Sequence, residues 1–437
     1  MPAGPENGLM TGPHAGPLPG AGRRARVAWC VYDWANSSFP AVILTFVFAA
    51  YFVRGVAVTP VQGTGLWAMA ITASAIAIAV VSPVLGAIAD RSGARKPWLG
   101  AFTIVCIVAT GCLWWVRPAP DWIILALVLV AIANFAFELA IVFYNAMLPE
   151  ICPEDRLGRL SGWGWGLGYG GGLVCLLIVL LGFVQAEMLP FGLDRALGEH
   201  VRIAAPIAAV WTAVFALPLF LMVPDKTGPG PGALAAVGLG LRQLAGTFGA
   251  LRGRPGILRF LVGRMIYTDG LNTLFAFGGI YAAGTWGMEI DEVIAFGIAL
   301  NLTAGLGAAG FAWVDDWIGA RRTILIALVG LTLLGGLILV APSKPWFWIF
   351  GTALGIFFGP AQAAGRSLMA RLAPPDMRAE MFGLFAFSGK ATAFLGPAIL
   401  GWVTVAMDSQ RAGMATVLAF FVVGFVILWP LKEPGRG

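Results

Sequence analysis

Charge is what this sequence has least of. Only 11% of its 437 residues are Asp, Glu, Lys or Arg, whereas 59% are hydrophobic and the mean hydropathy is +0.85. Such a chain has too little polar surface for a water-soluble globule, so a polytopic membrane protein is expected. Histidine is nearly absent. The two present, His14 and His200, fall in an N-terminal tail and a loop, which argues against an enzyme built on the usual general base. No Gly-x-x-x-x-Gly-Lys-(Ser/Thr) loop is present to cradle nucleotide phosphates, so an ATP-driven pump is not expected. The five cysteines, Cys30, Cys106, Cys112, Cys152 and Cys175, lack paired or ligand spacing. Disulfides, metals and cofactors are therefore not expected. Residues 1–22 lack a charged start followed by a short apolar core, so they read as a tail and not as a cleaved signal.

Long apolar runs are what is there. Runs of roughly 20 residues, the length that crosses ~30 Å of hydrocarbon, fall near 27–53, 65–89, 98–116, 122–148, 160–184, 203–223, 257–283, 292–314, 323–341, 346–370, 380–404 and 412–430. Twelve helices are expected, because an open strand cannot satisfy its backbone in lipid and the runs lack the alternation of a barrel. With the N-terminus inside, 19 of the 28 Lys and Arg residues fall in cytoplasmic segments, six in outer loops, and Arg264, Arg366 and Lys390 within spans. That bias predicts both termini to be cytoplasmic. It also explains the net charge of +6 without a nucleic-acid partner. The expected organisation is a tail at 1–25, six spans over 26–223, a cytoplasmic linker over 224–256, six spans over 257–431 and a tail at 432–437. Within the linker, 233–251 reads as a weak interfacial amphipathic helix.

Polar residues inside the spans carry the functional information, because an ionisable side chain there costs on the order of 2.5–3.5 kcal/mol on insertion scales. The first span opens Asp33-Trp34-Ala35-Asn36-Ser37-Ser38-Phe39, and the seventh repeats the pattern as Asp269-Gly270-Leu271-Asn272-Thr273-Leu274-Phe275. Residues three apart share a helix face, so each half offers an acid and an amide to one neighbour. A second repeat lies in the loops. Gly86-Ala-Ile-Ala-Asp90-Arg91-Ser-Gly93-Ala-Arg95-Lys96 follows span 2, and Asp315-Asp316-Trp-Ile-Gly319-Ala-Arg321-Arg322 follows span 8.

The first loop copy fills every specified position of the loop signature of the major facilitator superfamily, Gly-x-x-x-Asp-(Arg/Lys)-x-Gly-x-(Arg/Lys)-(Arg/Lys), and so resembles it. The second copy departs from it, with Ala312 for the first Gly and Trp317 for the first base. Tyr-Asp33-Trp-Ala-Asn36-Ser, Phe143-Tyr-Asn145-Ala-Met-Leu-Pro-Glu150, Gln362-x-x-x-Arg366-Ser367, Phe382-Gly383 and Ser388-Gly389-Lys390 narrow the resemblance. They are similar to the branch holding the fungal autophagy-related vacuolar amino-acid effluxers and their bacterial relatives. The resemblance runs from about Arg26 to Lys432. It implies an all-α membrane protein of twelve helices in two six-helix bundles, alternating access, and amino-acid export.

It also implies that spans 1, 4, 7 and 10 surround a central cavity. Those spans hold Asp33, Asn36, Asn134, Glu138, Asn145, Asp269, Asn272, Gln362 and Arg366, and span 11 adds Lys390. At 100° per residue Asn134, Glu138 and Asn145 lie within about 40° of one another. These ten residues form the expected substrate and ion pathway. The expected gating loops are Gly86, Asp90, Arg91, Gly93, Arg95 and Lys96, with Asp316, Gly319, Arg321 and Arg322. Glu138 is the acid expected to serve proton coupling, and Lys390 the base expected to hold a substrate carboxylate. The competing reading is that the three acids Asp33, Glu138 and Asp269 form static pairs with Arg264, Arg366 and Lys390, a role buried pairs fill without adding stability. Arg264 suits a static role, since it stands close enough to the inner end of span 7 to snorkel. Span 5 contains Gly166-Leu-Gly-Tyr-Gly-Gly171, which fits a dinucleotide pattern, but no strand precedes it; close helix packing is the better account. Trp34 is a candidate cavity wall.

The expected function is a secondary transporter of a small polar metabolite, foremost an amino acid, working as a monomer in a bacterial plasma membrane with protons as the candidate coupling ion. Its partners would be that small-molecule substrate and the lipid bilayer. A multidrug or sugar transporter of the same fold, or a non-transporting lipid- or pigment-binding protein, are the alternatives.

Overall fold

The computed structural model describes residues 17–225 and 253–433. Residues 226–252 of the expected linker, including the segment considered for an amphipathic helix, lie outside the described residues. Among the described residues all regular structure is helical. Ten helices are long and apolar enough to cross a membrane: α1 (Arg23–Val56), α2 (Pro60–Arg91), α3 (Lys96–Trp115), α4 (Pro120–Ile151), α5 (Glu154–Val184), α6 (Glu199–Met222), α8 (Glu292–Ile318), α9 (Ala320–Leu339), α10 (Lys344–Leu372) and α12 (Gln410–Leu428). Helix α7 (Pro255–Trp286) is as long, at 32 residues, but carries Arg259, Arg264 and Asp269.

The eleventh span differs from the expected single run over 380–404. It is two helices, α11a (Arg378–Ser388) and α11b (Leu395–Ala406), joined by an irregular stretch. Gly389 ends the first, and Pro397 stands in the first turn of the second, where its missing N–H costs nothing. Arg264 of α7 holds the break from the other side. It donates to the Phe385 carbonyl at 2.6 Å and the Ser388 hydroxyl at 2.8 Å, with its guanidinium 3.4 Å from the Phe385 ring centroid. A cation on the open carbonyl end of a half-helix is favourable. Arg264 is thus a structural brace turned inward, and no snorkelling is involved.

The two halves repeat their packing. In the first half α1 packs on α5 and α6, α2 on α4, and α3 on α4 and α6; in the second, α7 packs on α11 and α12, α8 on α10, and α9 on α10 and α12. Even the repeated sequence motif keeps its geometry. Ser37 Oγ donates to the Asp33 carbonyl at 2.8 Å, and Thr273 Oγ1 to the Asp269 carbonyl at 2.7 Å. A glycine closes on each, Gly168 on the first and Gly396 on the second.

Between halves α2 meets α11a and α5 meets α8. Lipid tails are as apolar as leucine, so such contacts come from close packing and hydrogen bonds and gain little from hydrophobic burial. The glycines of α5 serve this on two faces. Gly158, Gly162 and Gly166 abut α8, and Gly164, Gly168 and Gly172 abut α1. The dinucleotide-like spelling is therefore a packing surface.

Candidate functional site

Away from the loop signatures, two ion pairs cross the interface between the halves. The guanidinium of Arg366, on α10, reaches Asp33 Oδ2 on α1 at 2.9 Å and Asn145 Oδ1 on α4 at 3.4 Å. Its remaining donors go to α5, with Nε 2.9 Å from Ser161 Oγ and Nη2 2.6 Å from the Ser161 carbonyl. Aromatic rings complete the enclosure: the guanidinium carbon lies 4.8 Å from the Trp29 ring centroid, 5.6 Å from Tyr144 and 5.7 Å from Trp165. A planar fork that stacks and donates five hydrogens fits this place, and a lysine would not. Asp33, Asn145 and Arg366 are all buried. They bolt α10 to the first half.

The second pair is built differently. Lys390 Nζ, in the break of α11, stands 2.7 Å from Glu138 Oε1 on α4, and their side chains remain 29% and 20% exposed. Arg366 is enclosed by the protein, whereas the Glu138 and Lys390 side chains stay partly exposed.

The loop signature closes one end of the interface. Asp90 Oδ1 accepts from the Ala379 N–H at 3.0 Å and Oδ2 from the Glu380 N–H at 2.8 Å, so the carboxylate sits on the first turn of α11a. Arg95 Nη2 donates to Asp90 at 2.9 Å, and Nη1 to the Ala146 carbonyl at 2.9 Å while also pairing with Glu150. Arg378 of α11a stands 3.8 Å from the same Glu150. Gly86 is obligatory here, because a Cβ would press on the Ala379 and Glu380 backbone, 2.8 Å from the Glu380 Cα. Gly93 ends α2 at φ 81°, a left-handed value that favours glycine. Arg91 is exposed, and the main-chain N–H groups of Arg95 and Lys96 are taken by Asp225 at 3.0 and 2.9 Å.

The second copy repeats the arrangement despite its imperfect spelling. Asp316 lies 3.3 Å from the Nε of Arg159, at the start of α5, and Gly319 turns the chain at φ 97°. The Ala320 and Arg321 N–H groups go to Glu433 at 3.2 and 3.1 Å, as those of Arg95 and Lys96 go to Asp225. Arg321 also donates to the Leu428 carbonyl at 3.3 Å, and Arg322 is exposed. Asp315 pairs with Arg371 at 2.6 Å and accepts from Ser367.

The other expected pathway residues divide. Gln362 Nε2 donates to Tyr169 OH across the halves at 3.1 Å, and Asn272 is exposed. Asn134 turns away to Ser74 of its own half at 2.7 Å. Asn36 is buried, with its amide nitrogen unpartnered. Asp269 is buried beside Thr392 and meets no base. Trp34 stacks on Trp211 at 5.7 Å between α1, α5 and α6, so it packs the first bundle and lines no cavity. Sequence reasoning quoted Glu150 and Asp315 only as parts of motifs and missed Ser161, Arg371, Arg378, Asp225 and Glu433, which complete the networks. Of these five, Asp225 and Glu433 carried a signal, each an acid just beyond the last span of a half. No group of three or more His, Cys, Asp or Glu side chains suited to a metal occurs among the described residues.

This geometry agrees with the relatives. The family model for vacuole effluxer Atg22 like proteins matches residues 56–159 and 153–434. The chain belongs to that family. The MFS-type transporter YxiO of Bacillus subtilis is 25% identical over 408 residues, which cover 92% of this chain and 93% of YxiO. Autophagy-related protein 22 of Cryptococcus neoformans is 24% identical over 312 residues, 65% of this chain. There the chain spans about half of the fungal protein's length, 52%. Among solved structures, FucP in the outward conformation superposes with a TM-score of 0.71 at 15% identity, covering 94% of this chain and 98% of FucP. The proton:xylose symporter XylE gives 0.72 at 12%, covering 94% and 96%. The fold is that of the major facilitator superfamily, and this Atg22-like protein is a multi-pass membrane transporter.

Proposed function

We propose that this Atg22-like chain moves amino acids by alternating access, with Glu138 and Lys390 binding the zwitterion. The observation that carries the reading is the 2.7 Å contact between two partly exposed, oppositely charged side chains from different halves. An amino acid brings a carboxylate and an ammonium, so it replaces that contact with two and ties the halves together through itself. Lys390 suits the carboxylate as a compact charge on a flexible stem. Asn272, Gln362 and Tyr169 stand ready for the side chain. Asp33, Asn145 and Arg366 act as the bolt that must open for the substrate to pass.

Orientation follows from the Lys and Arg distribution: the signature end and both termini face the cytoplasm of a bacterial cell. The described contacts close that end, which supports an outward-facing state. Export is favoured by the family description, which is of an effluxer. The test is thermal stabilisation of the purified chain across amino acids, sugars and organic cations. An amino acid should raise the melting temperature of the wild type and leave that of Lys390→Ala unmoved. A panel in which only sugars or cations stabilise the chain would overturn the proposal.

A further inference from the structure

Six acids of the described helices have a base within 4 Å. Asp33 has Arg366, Asp90 has Arg95, Glu138 has Lys390, Asp315 has Arg371 and Asp316 has Arg159. Glu150 has Arg95. Asp269 has none. It is 1% exposed, and its Oδ1 meets no hydrogen-bond partner; the Thr392 hydroxyl, which faces it from the break in α11, is also unpartnered. The cations nearby are committed elsewhere, Arg264 to Phe385 and Ser388, Lys390 to Glu138, and Arg366 to Asp33. Of the other elements packed on α7 here, α12 presents Phe420 and Phe421 at Gly270, α11b presents Gly396 against Thr273, and α10 presents Gly365 at Tyr267, itself an uncharged phenol.

The internal repeat explains the missing base. Helices α4 and α10 contain regular stretches of equal length, Ile123–Ile151 and Lys344–Leu372, 29 residues each. Asn145 stands in the first where Arg366 stands in the second. The arginine that answers Asp33 has only an amide as its counterpart, so Asp269 keeps the motif's acid and lacks its cation. A lone buried carboxylate costs several kcal/mol, and the cost is removed by taking up a proton.

We propose that Asp269 is a proton-binding site, and that α7 carries the exchangeable proton of this transporter. The role as coupling site rests on the transport reading; the occupancy by a proton does not. Glu138, the acid expected for that task from sequence, has its charge balanced by Lys390. Thr392 links the site to the same irregular stretch that holds Lys390, two residues away, so a substrate that draws on Lys390 moves the group facing Asp269.

The test is infrared difference spectroscopy of the full chain in detergent during a pH titration, which needs no substrate. A neutral-carboxyl C=O band should persist at neutral pH, shift in Asp269→Glu, vanish in Asp269→Asn, and survive in Glu138→Gln. Melting of the wild type should fall as pH rises through loss of that band, and Asp269→Asn should be flat over the same range. A band unchanged in both Asp269 variants overturns the proposal. So does a band abolished by sodium at constant pH, which would make the site one for a metal cation. Either result leaves the amino-acid panel untouched, and failure of that panel leaves the band to be read on its own.

Discussion

The main-chain N–H of Glu380 donates to Asp90 at 2.8 Å across 290 residues of sequence, so one carboxylate from the first half caps a helix of the second. Closure of the signature end is therefore a capping interaction as well as a set of ion pairs. Asp90→Asn turns one accepting oxygen into a donor beside those N–H groups. A hydrogen bond to a charged group contributes about 1.5–3 kcal/mol, which is a tenfold or larger shift in a two-state equilibrium. Ser82, buried against Gly383, is the reporter: Ser82→Cys should react with a cytoplasmic-side maleimide roughly tenfold faster once Asp90→Asn is added. Equal rates would remove Asp90 from gating.

Gly86→Ala should act in the same direction by steric means. Its Cβ would meet the backbone of Ala379 and Glu380, and neither strand of chain has a flexible end to move aside. At Gly65 nothing lies within 4 Å, so Gly65→Ala is the control. The same labelling assay should distinguish the two, with faster reaction only for Gly86→Ala.

Arg366 and Asp33 should be strongly coupled. Removing one partner of a buried pair costs about 3–5 kcal/mol, chiefly because the other charge is left behind. Arg366→Ala should thus lower the melting temperature more than the double variant Arg366→Ala with Asp33→Asn does. Additive losses in that cycle would mean the two charges do not interact. Arg366→Lys should recover only part of the loss, since a lysine cannot make the contacts to Ser161 and Asp33 together with the stack on Trp29.

Topology is open to the same chemistry. A cysteine at Ser343, before α10, should be labelled by an impermeant reagent from outside the cell. One at Thr227, in the linker, should be labelled only after the membrane is opened. The reverse pattern would invert the assignment of the signature end to the cytoplasm and with it the outward-facing reading.

The sequence by itself determined the long apolar spans, the repeat, the signature around Asp90 and the intramembrane charges Asp33, Glu138, Asp269, Arg264, Arg366 and Lys390. Those follow from length, hydropathy and local spacing, and local rules suffice for them. It also marked Asp33 and Asp269 as equivalent, and their hydroxyl partners Ser37 and Thr273 keep that equivalence. Helical periodicity assigns a residue to a face, but it does not say which neighbour that face meets. Asn134 and Glu138 are one turn apart on α4, yet the first bonds to Ser74 in its own half and the second to Lys390 in the other. Arg366 finds Asp33 from 333 residues away. Only the tertiary structure decided those pairings, because each depends on how two helices cross and on where the chain breaks. The break in α11 sets Lys390 against Glu138, and the amide at Asn145 leaves Asp269 without a base.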